Sequence, residues 1–282
     1  MCDRAFEESD ASPFIFDGDR NMTSPAHRLA VFLMAISIVA LAENATADTA
    51  DIGKATSITT IVTGTLATDA IALKSGDTIF QNETIATDAS GIGQFQFRDE
   101  TKLAVGPGST IILDNFVYDS ETSKAKIVIN LSQGALRFIT GKSNHDAYEI
   151  VTPTATIGVR GTVFDIYARP DGELALAMID GAVEVCSQGG ACRLHDVIGK
   201  FLHMSPKGLF SIRDTWDGSF LKDVPFKLAL PFLSDQNSLV PSFRGRTATI
   251  RKYASATGKE IGKIVKLPLT KFPKLKLPNL FK

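Results

Sequence analysis

The sequence is poor in the residue types from which most active sites and metal centres are built. Its 282 residues include only three cysteines, four histidines and one tryptophan. No serine or cysteine lies in a G-x-S-x-G motif, so the signature of a nucleophile elbow is missing. No alternation of Asp and Asn residues provides a calcium-binding loop. We therefore expect neither an enzyme nor a protein that holds a metal ion or another cofactor.

The histidines do not form an obvious catalytic group. Two of them are followed by an aspartate, at His145-Asp146 and at His195-Asp196, and such a pair could be half of a triad. Adjacent residues of a strand point in opposite directions, however, which separates the two side chains. His203 stands in an apolar stretch without a partner nearby in sequence. We interpret His145 and His195 as loop or surface residues.

The carboxylates are spread through turns rather than gathered at a site. Aspartate is favoured in turns because its side chain bonds the local backbone. Nothing in the sequence selects two of these residues as the acid and base of a glycosidase. The aspartates concerned are Asp77, Asp88, Asp99, Asp171 and Asp180.

Helical periodicity of useful length is also missing. Between residues 60 and 200, turn signals recur about every ten residues. The segment Gly93–Phe97 alternates strictly, which predicts Phe95 and Phe97 inside and the glutamines outside. The sequence therefore predicts an all-β fold of short strands, as a roll, a sandwich or an irregular solenoid.

The densest run of β-forming residues changes phase in its middle. Ile157 and Val159 share one strand face, whereas Phe164 and Ile166 are in the opposite phase. One extra residue between the two pairs would keep all four in the same core. Gly161 lies in that gap and suits a β-bulge, where φ can be positive.

Arg160 lies beside this predicted bulge, and its charged side chain has two alternative interpretations. A bulge would re-aim its side chain, which makes contact with a partner's carboxylate one hypothesis. The interpretation we favour is an arginine that lies along the solvent face with its stem packed.

Two of the three cysteines are close together, at Cys186 and Cys192, around a Ser-Gln-Gly-Gly-Ala loop. In an oxidising compartment they should form a disulfide that contributes about 2 kcal/mol. A zinc site is the alternative, but no second pair of ligands stands nearby.

The N-terminal region has the features of a secretory signal peptide. An apolar run, Leu29–Ala42, follows His27-Arg28 and precedes the small-residue pattern Ala45-Thr-Ala47. We expect cleavage near Ala47 and a periplasmic or secreted protein. An uncleaved signal anchor is the alternative. The start at Met1 or at Met22 stays open, with residues 1–21 as an upstream extension.

The net charge of −1 hides a strong asymmetry. From Arg244 onward there are eleven basic residues and one acid, a net +10, so the preceding chain carries −11. Prolines and apolar residues are interleaved with these charges, which predicts an extended basic tail. The tail either contacts an anionic membrane surface or is a solvated segment, and nucleic acid is not expected as a partner of an exported protein. The lysines proposed for surface contact are Lys263, Lys266, Lys271, Lys274 and Lys276.

These features divide the chain into four parts. Residues 1–47 are the extension and signal peptide, and 48–200 are the all-β domain. Residues 201–243 are rich in Phe and Pro, which predicts a strap packed on the domain. Residues 244–282 are the basic tail.

Three motifs resemble a known family. They are Leu73-Lys-Ser-Gly-Asp77, Thr152-Pro-Thr-Ala-Thr-Ile-Gly-Val-Arg-Gly-Thr-Val-Phe164 and Ile179-Asp-Gly-Ala-Val-Glu-Val185. In this order and spacing they resemble the FecR domain, a periplasmic module. The resemblance implies an all-β fold of rolled or solenoid-like short strands. In iron-uptake regulators such domains relay a signal from an outer-membrane receptor to a cytoplasmic sigma factor.

Those regulators carry an anti-sigma domain before a membrane span, whereas only Met1–Arg28 precede the apolar run here. We therefore expect a stand-alone exported FecR domain that acts as a non-catalytic protein-interaction module on an unknown envelope protein. The first alternative is a membrane-anchored periplasmic regulator of the FecR type. The second is an envelope polysaccharide-binding protein or hydrolase.

Overall fold

The computed structural model describes residues 50–119, 124–144, 146–216 and 221–245. Several sequence predictions fall outside these residues. They concern the signal peptide, His145 and the tail lysines. No helix among the described residues is both long enough and apolar enough to cross a membrane.

The all-β prediction is confirmed. The described residues form fifteen strands that belong to a single open sheet. The strands are β1 (Asp51–Thr59), β2 (Val62–Leu66), β3 (Asp69–Ala72), β4 (Thr78–Phe80), β5 (Thr84–Thr87), β6 (Ile92–Phe97), β7 (Lys102–Val105), β8 (Thr110–Asp119), β9 (Lys124–Ile139), β10 (Tyr148–Val151), β11 (Ala155–Ala168), β12 (Leu174–Ser187), β13 (Cys192–His195), β14 (Phe201–Met204) and β15 (Phe210–Arg213).

Three long strands, β9, β11 and β12, organise the sheet. The main path runs β15-β14-β12-β11-β10-β9-β7-β6-β1-β4, and β13 pairs with β12 beside it. A branch leads from β9 through β8 and β5 to β2 and β3. Among the pairings of the described strands, β10 with β9 is parallel and the others are antiparallel. β11 therefore pairs with β10 along its first half and with β9 along its second.

Two of these strands, β9 and β12, are longer than the sequence predicted. The sequence placed separate strands at 126–131 and 134–139, and again at 174–179 and 182–185. In each case a glycine with positive φ, Gly134 or Gly181, kinks one continuous strand instead of ending it. A bulge glycine and a turn glycine look alike in sequence because both need the same backbone freedom.

The predicted bulge in β11 is confirmed. Gly161 has a φ of 63°, and the pairing with β12 shifts register between Arg160 and Val163. Ile157 and Phe164, on opposite sides of the bulge, both lie fully buried in the main core. Gly181 of β12 meets this bulge directly, since a Cβ there would lie 2.3 Å from the carbonyl oxygen of Gly161.

The side of the long strands away from the main core is covered over part of its length by residues 221–245, named here the covering segment. It contains two one-turn helices, α1 (Phe226–Ala229) and α2 (Pro231–Ser234), and two 3-10 turns, Gln236–Ser238 and Pro241–Phe243. Pro231 ends the first helix after one turn, because the residue before a proline disfavours helical backbone. Leu230 and Leu233 pack on Ala177 and Phe201 of the sheet in a second core. The sheet itself extends past residue 200 through β14 and β15, so the covering begins later than residue 201.

The covering segment changes the environment of Gln94, which the alternation predicted outside. Gln94 points away from the main core but is fully buried. Its Nε2 donates to the carbonyl of Ser238 at 3.3 Å, and its Oε1 accepts from the backbone N–H of Val240 at 3.2 Å. The side-chain amide thus pairs with the covering segment as a peptide group would.

Candidate interaction face

An open groove lies on the outer side of β10, β11 and β12, away from the main core. We name it the outer groove. Its volume is about 400 Å³. The lining residues that matter below are Lys126, Asp146, Glu149, Thr156, Gly158 and Glu184.

Strand alternation and one glycine create the outer groove. Along β11, Ile157 and Val159 enter the core, so Thr156, Gly158 and Arg160 face outward. A Cβ on Gly158 would meet only the carbonyl oxygen of Glu184, at 4.0 Å. The floor is therefore open because a side chain is missing there.

Charged groups form the rim of the groove. The Nη2 of Arg160 lies 3.8 Å from Oε2 of Glu184, and 63% and 44% of these side chains are exposed. Such a loose, solvated pair contributes little to stability and can open toward another charge. Asp146 and Glu149 form no ion pair within the described ranges. The structure thus places Arg160 on the solvent side with a carboxylate of its own chain, and its contact with a partner remains a prediction.

An exposed apolar patch adjoins the groove at the sheet edge. β13 pairs with β12 alone among the described strands, and Leu194 lies directly opposite Glu184. Leu194, Val197 and Ile198 are all exposed. A disulfide between Cys186 and Cys192 joins β12 to this edge strand. The patch and the groove together form one uncovered face.

The covered half of the same side contains an ion pair that the sequence did not reveal. Nε and Nη2 of Arg137 donate to the two carboxylate oxygens of Asp165 at 2.5 and 2.9 Å. Nη1 of Arg137 donates to the carbonyl of Phe243 at 3.2 Å, and its guanidinium lies 5.8 Å from the ring centre of Phe232. Burial raises the pKa of Asp165, and the charge of Arg137 opposes this shift.

His195 does not lie at the surface as predicted, and His203 has partners that the sequence did not reveal. His195 is fully buried, its Nε2 lies 3.2 Å from the carbonyl of Lys200, and burial lowers its pKa. His203 has partners from other strands: Nε2 lies 2.8 Å from Oε1 of Glu173, and Nδ1 lies 3.4 Å from Oγ of Ser211. This row spans three neighbouring chain segments, and the long contact to Ser211 makes it a cross-strand polar ladder rather than a tight triad.

Four of the five predicted turn aspartates, Asp77, Asp88, Asp99 and Asp171, bond their local backbone, whereas Asp180 lies within the continuous strand β12. Asp77 accepts from the N–H of Lys74 at 2.7 Å, and Asp171 accepts from the N–H of Glu173 at 3.0 Å. Asp99 is buried and also accepts from the hydroxyl of Tyr148 at 2.7 Å. Throughout the part of the chain that the structure describes, no three His, Cys, Asp or Glu residues converge as metal ligands.

Residues 83–184 match the family model described as FecR protein. This range runs from just before β5 to the outer-groove residue Glu184 and includes Arg160. No curated protein matches the chain.

Two crystal structures, at 2.50 and 1.65 Å resolution, of a protein assigned as an anti-sigma factor from Parabacteroides distasonis are similar to the chain. Each is 16% identical, with a TM-score of 0.37. The similarity covers 46% of this chain and 58% of that protein, which is less than two thirds of its length. The family match therefore identifies residues 83–184 of this chain as a FecR domain.

Proposed function

We propose that this chain is a signal-transducing regulator of the FecR type that acts by binding another protein in the cell envelope. The observation that carries the proposal is the match of residues 83–184 to the FecR family model. The proposal takes the outer groove and the adjoining apolar patch as the binding face. Both lie on β12 or its neighbours, within or next to the matched range.

The character of this face supports protein binding. It combines an open groove, a loose Arg160–Glu184 pair and the exposed Leu194 of the edge strand β13. Mixed charge around an apolar centre is typical of protein interfaces. The row of Glu173, His203 and Ser211 lies elsewhere, on β14, β15 and the turn before β12, and the proposed function is non-catalytic.

We further propose that the protein is exported as a stand-alone module. The apolar run followed by Ala45-Thr-Ala47 supports this part of the proposal, and the Cys186–Cys192 disulfide fits an oxidising compartment. Mass spectrometry of the N-terminus of the protein from cells tests it. A chain that starts near Asp48 supports a cleaved signal, whereas retention of residues 22–47 supports the anchored form.

A genetic test addresses the regulatory role. Arg160→Glu together with Glu184→Arg leaves an ion pair in place but reverses the charges that a partner meets. We expect this double variant to leave the transcript profile of a deletion strain unrestored, whereas the native chain restores it. Asp69→Lys, on the exposed strand β3, is the matched control and should restore the profile. Equal restoration by the charge-swapped chain would show that this face is not the site of action.

A further inference from the structure

The outer side of β11 and β12 consists of two halves that meet at the paired bulges, Gly161 and Gly181. The covering segment packs on the half that includes Asp165, Ala177 and Ile179. The other half is the outer groove, which no described residue covers. The uncovered half therefore has space for a further segment of the same chain to pack on the sheet.

The described chain leaves the covering segment at this boundary. A Cβ on Gly245 would lie 3.3 Å from Cγ2 of Ile179 and 3.7 Å from Nη1 of Arg137. Ile179 precedes the Gly181 bulge by two residues, and Glu184 follows Ile179 by five residues along β12. At about 3.3 Å per strand residue, Gly245 lies about 17 Å from the groove along the strand.

We propose that residues 246–282, named here the basic segment, bind the outer groove of the same chain and continue the covering of this face. The proposal rests on the proposed function, because it describes how the same binding face would be regulated. About six extended residues span the distance from Gly245 to the groove. The remainder of the basic segment then lies within reach of the groove.

The chemistry of the basic segment complements that of the groove. The segment contains ten basic residues and one acid, with leucine, isoleucine, valine and phenylalanine between them. The groove presents three carboxylates, those of Asp146, Glu149 and Glu184, against two cations, the lining Lys126 and the rim Arg160, which leaves a net charge of −1. At Gly158 the floor of the groove has no side chain, which leaves space for side chains of the basic segment. Lysines of the basic segment would pair with the carboxylates at the rim, while its aliphatic side chains would lie on the floor of the groove.

Tethering makes weak contacts sufficient. Exposed ion pairs contribute about 0.2–1 kcal/mol each and are screened by salt. A short link to the site raises the effective concentration of the segment to the millimolar range. A partner of the outer groove must therefore displace the basic segment, and an anionic membrane surface that attracts the lysines would free the groove.

Photocrosslinking in the purified full chain tests the proposal. p-Benzoylphenylalanine replaces Thr156, an exposed groove residue, or Asp69, an exposed residue of β3 as the matched control. We expect peptides from residues 246–282 to crosslink to position 156 at least about fivefold more than to position 69. Glu149→Lys with Glu184→Lys should reduce that yield about fivefold, as should 500 mM salt, which corresponds to the loss of about 1 kcal/mol. Asp69→Lys with Asp214→Lys is the matched charge control and should leave it unchanged.

The remaining outcomes decide against the proposal. Equal crosslinking from positions 156 and 69 overturns it. Crosslinks between isotopically labelled and unlabelled chains show that the segment binds a second copy instead. Sedimentation with phosphatidylglycerol vesicles, without any crosslink at position 156 in their absence, shows that the segment binds membranes only. Should the lysine variants lose their far-UV circular dichroism spectrum, Glu149→Gln with Glu184→Gln replaces them. No partner is present in this assay, so its failure and a failure of the transcript test are distinguishable.

Discussion

Arg137 and Asp165 lie directly opposite each other on β9 and β11 and form a two-point ion pair without access to solvent. Removal of one member of a buried pair leaves the other charge uncompensated, which costs about 3–5 kcal/mol. We therefore expect Asp165→Asn to lower the free energy of unfolding by about that amount in urea denaturation. Arg137→Met with Asp165→Leu removes both charges and should cost less than Asp165→Asn. If the double variant is less stable than Asp165→Asn, the attraction between the two charges stabilises the fold by more than the cost of burying them.

A second prediction concerns the β-bulge at Gly161. A β-branched residue is strained at a φ of 63°, whereas asparagine adopts this region more readily. Gly161→Val should lower the free energy of unfolding by about 2 kcal/mol or more, and Gly161→Asn by less than half of that. Thermal unfolding measures both variants. A valine variant as stable as the native chain would refute the role of the glycine.

Glu83 provides a prediction about pH. It is almost fully buried, its Oε2 accepts from the N–H of Phe80 at 2.9 Å, and burial raises its pKa. A pKa raised in the folded state means that protonation stabilises the fold. This contribution is fully present below the unfolded pKa and is lost as pH rises through the folded pKa.

Glu83→Gln should therefore flatten the decline of stability with rising pH in this window, because glutamine keeps an acceptor without a charge. Urea denaturation at a series of pH values measures the slope. Asp69→Asn, at an exposed site, serves as the control and should leave the slope unchanged. An unaltered slope in Glu83→Gln would assign the pH dependence to other groups.

The disulfide gives a fourth prediction. Cys186 and Cys192 are cross-strand neighbours on β12 and β13, and the link closes a small loop. Cys186→Ser with Cys192→Ser should lower the free energy of unfolding by about 2 kcal/mol. Reduction of the native chain with dithiothreitol should have the same effect and should not affect the double variant further. A reductant effect in the double variant would point to a cause other than this bond.

The sequence predicted what depends on neighbours along the chain. Alternation identified the strands, and the phase change between Val159 and Phe164 located the Gly161 bulge. The roles of Asp77 and Asp171 in their turns were also predictable, because their hydrogen bonds reach only two or three residues away. The same local reasoning missed Gly134 and Gly181, since a kinked strand and a turn make equal demands on a glycine.

What the sequence could not provide are contacts between distant segments. Arg137 and Asp165 are brought together by the pairing of β9 with β11, and His203 meets Glu173 across 30 positions. Gln94 alternates as an outward residue, and only the covering segment, more than 140 positions later, buries it. The outer groove also depends on contacts between distant segments, because Gly158 forms its floor only where β10 and β12 lie on either side of β11.

The long strands have a consequence for how the protein opens. A sheet of short strands can fray one strand at a time, but β9, β11 and β12 each take part in both the covered and the uncovered regions. We therefore expect backbone hydrogen bonds on the two sides of the bulge in β11 to break together, in a single cooperative event. Amide protons of Ile157 and Ile166 should exchange with solvent deuterium at the same slow rate, even though one lies under the open groove and the other beneath the covered half.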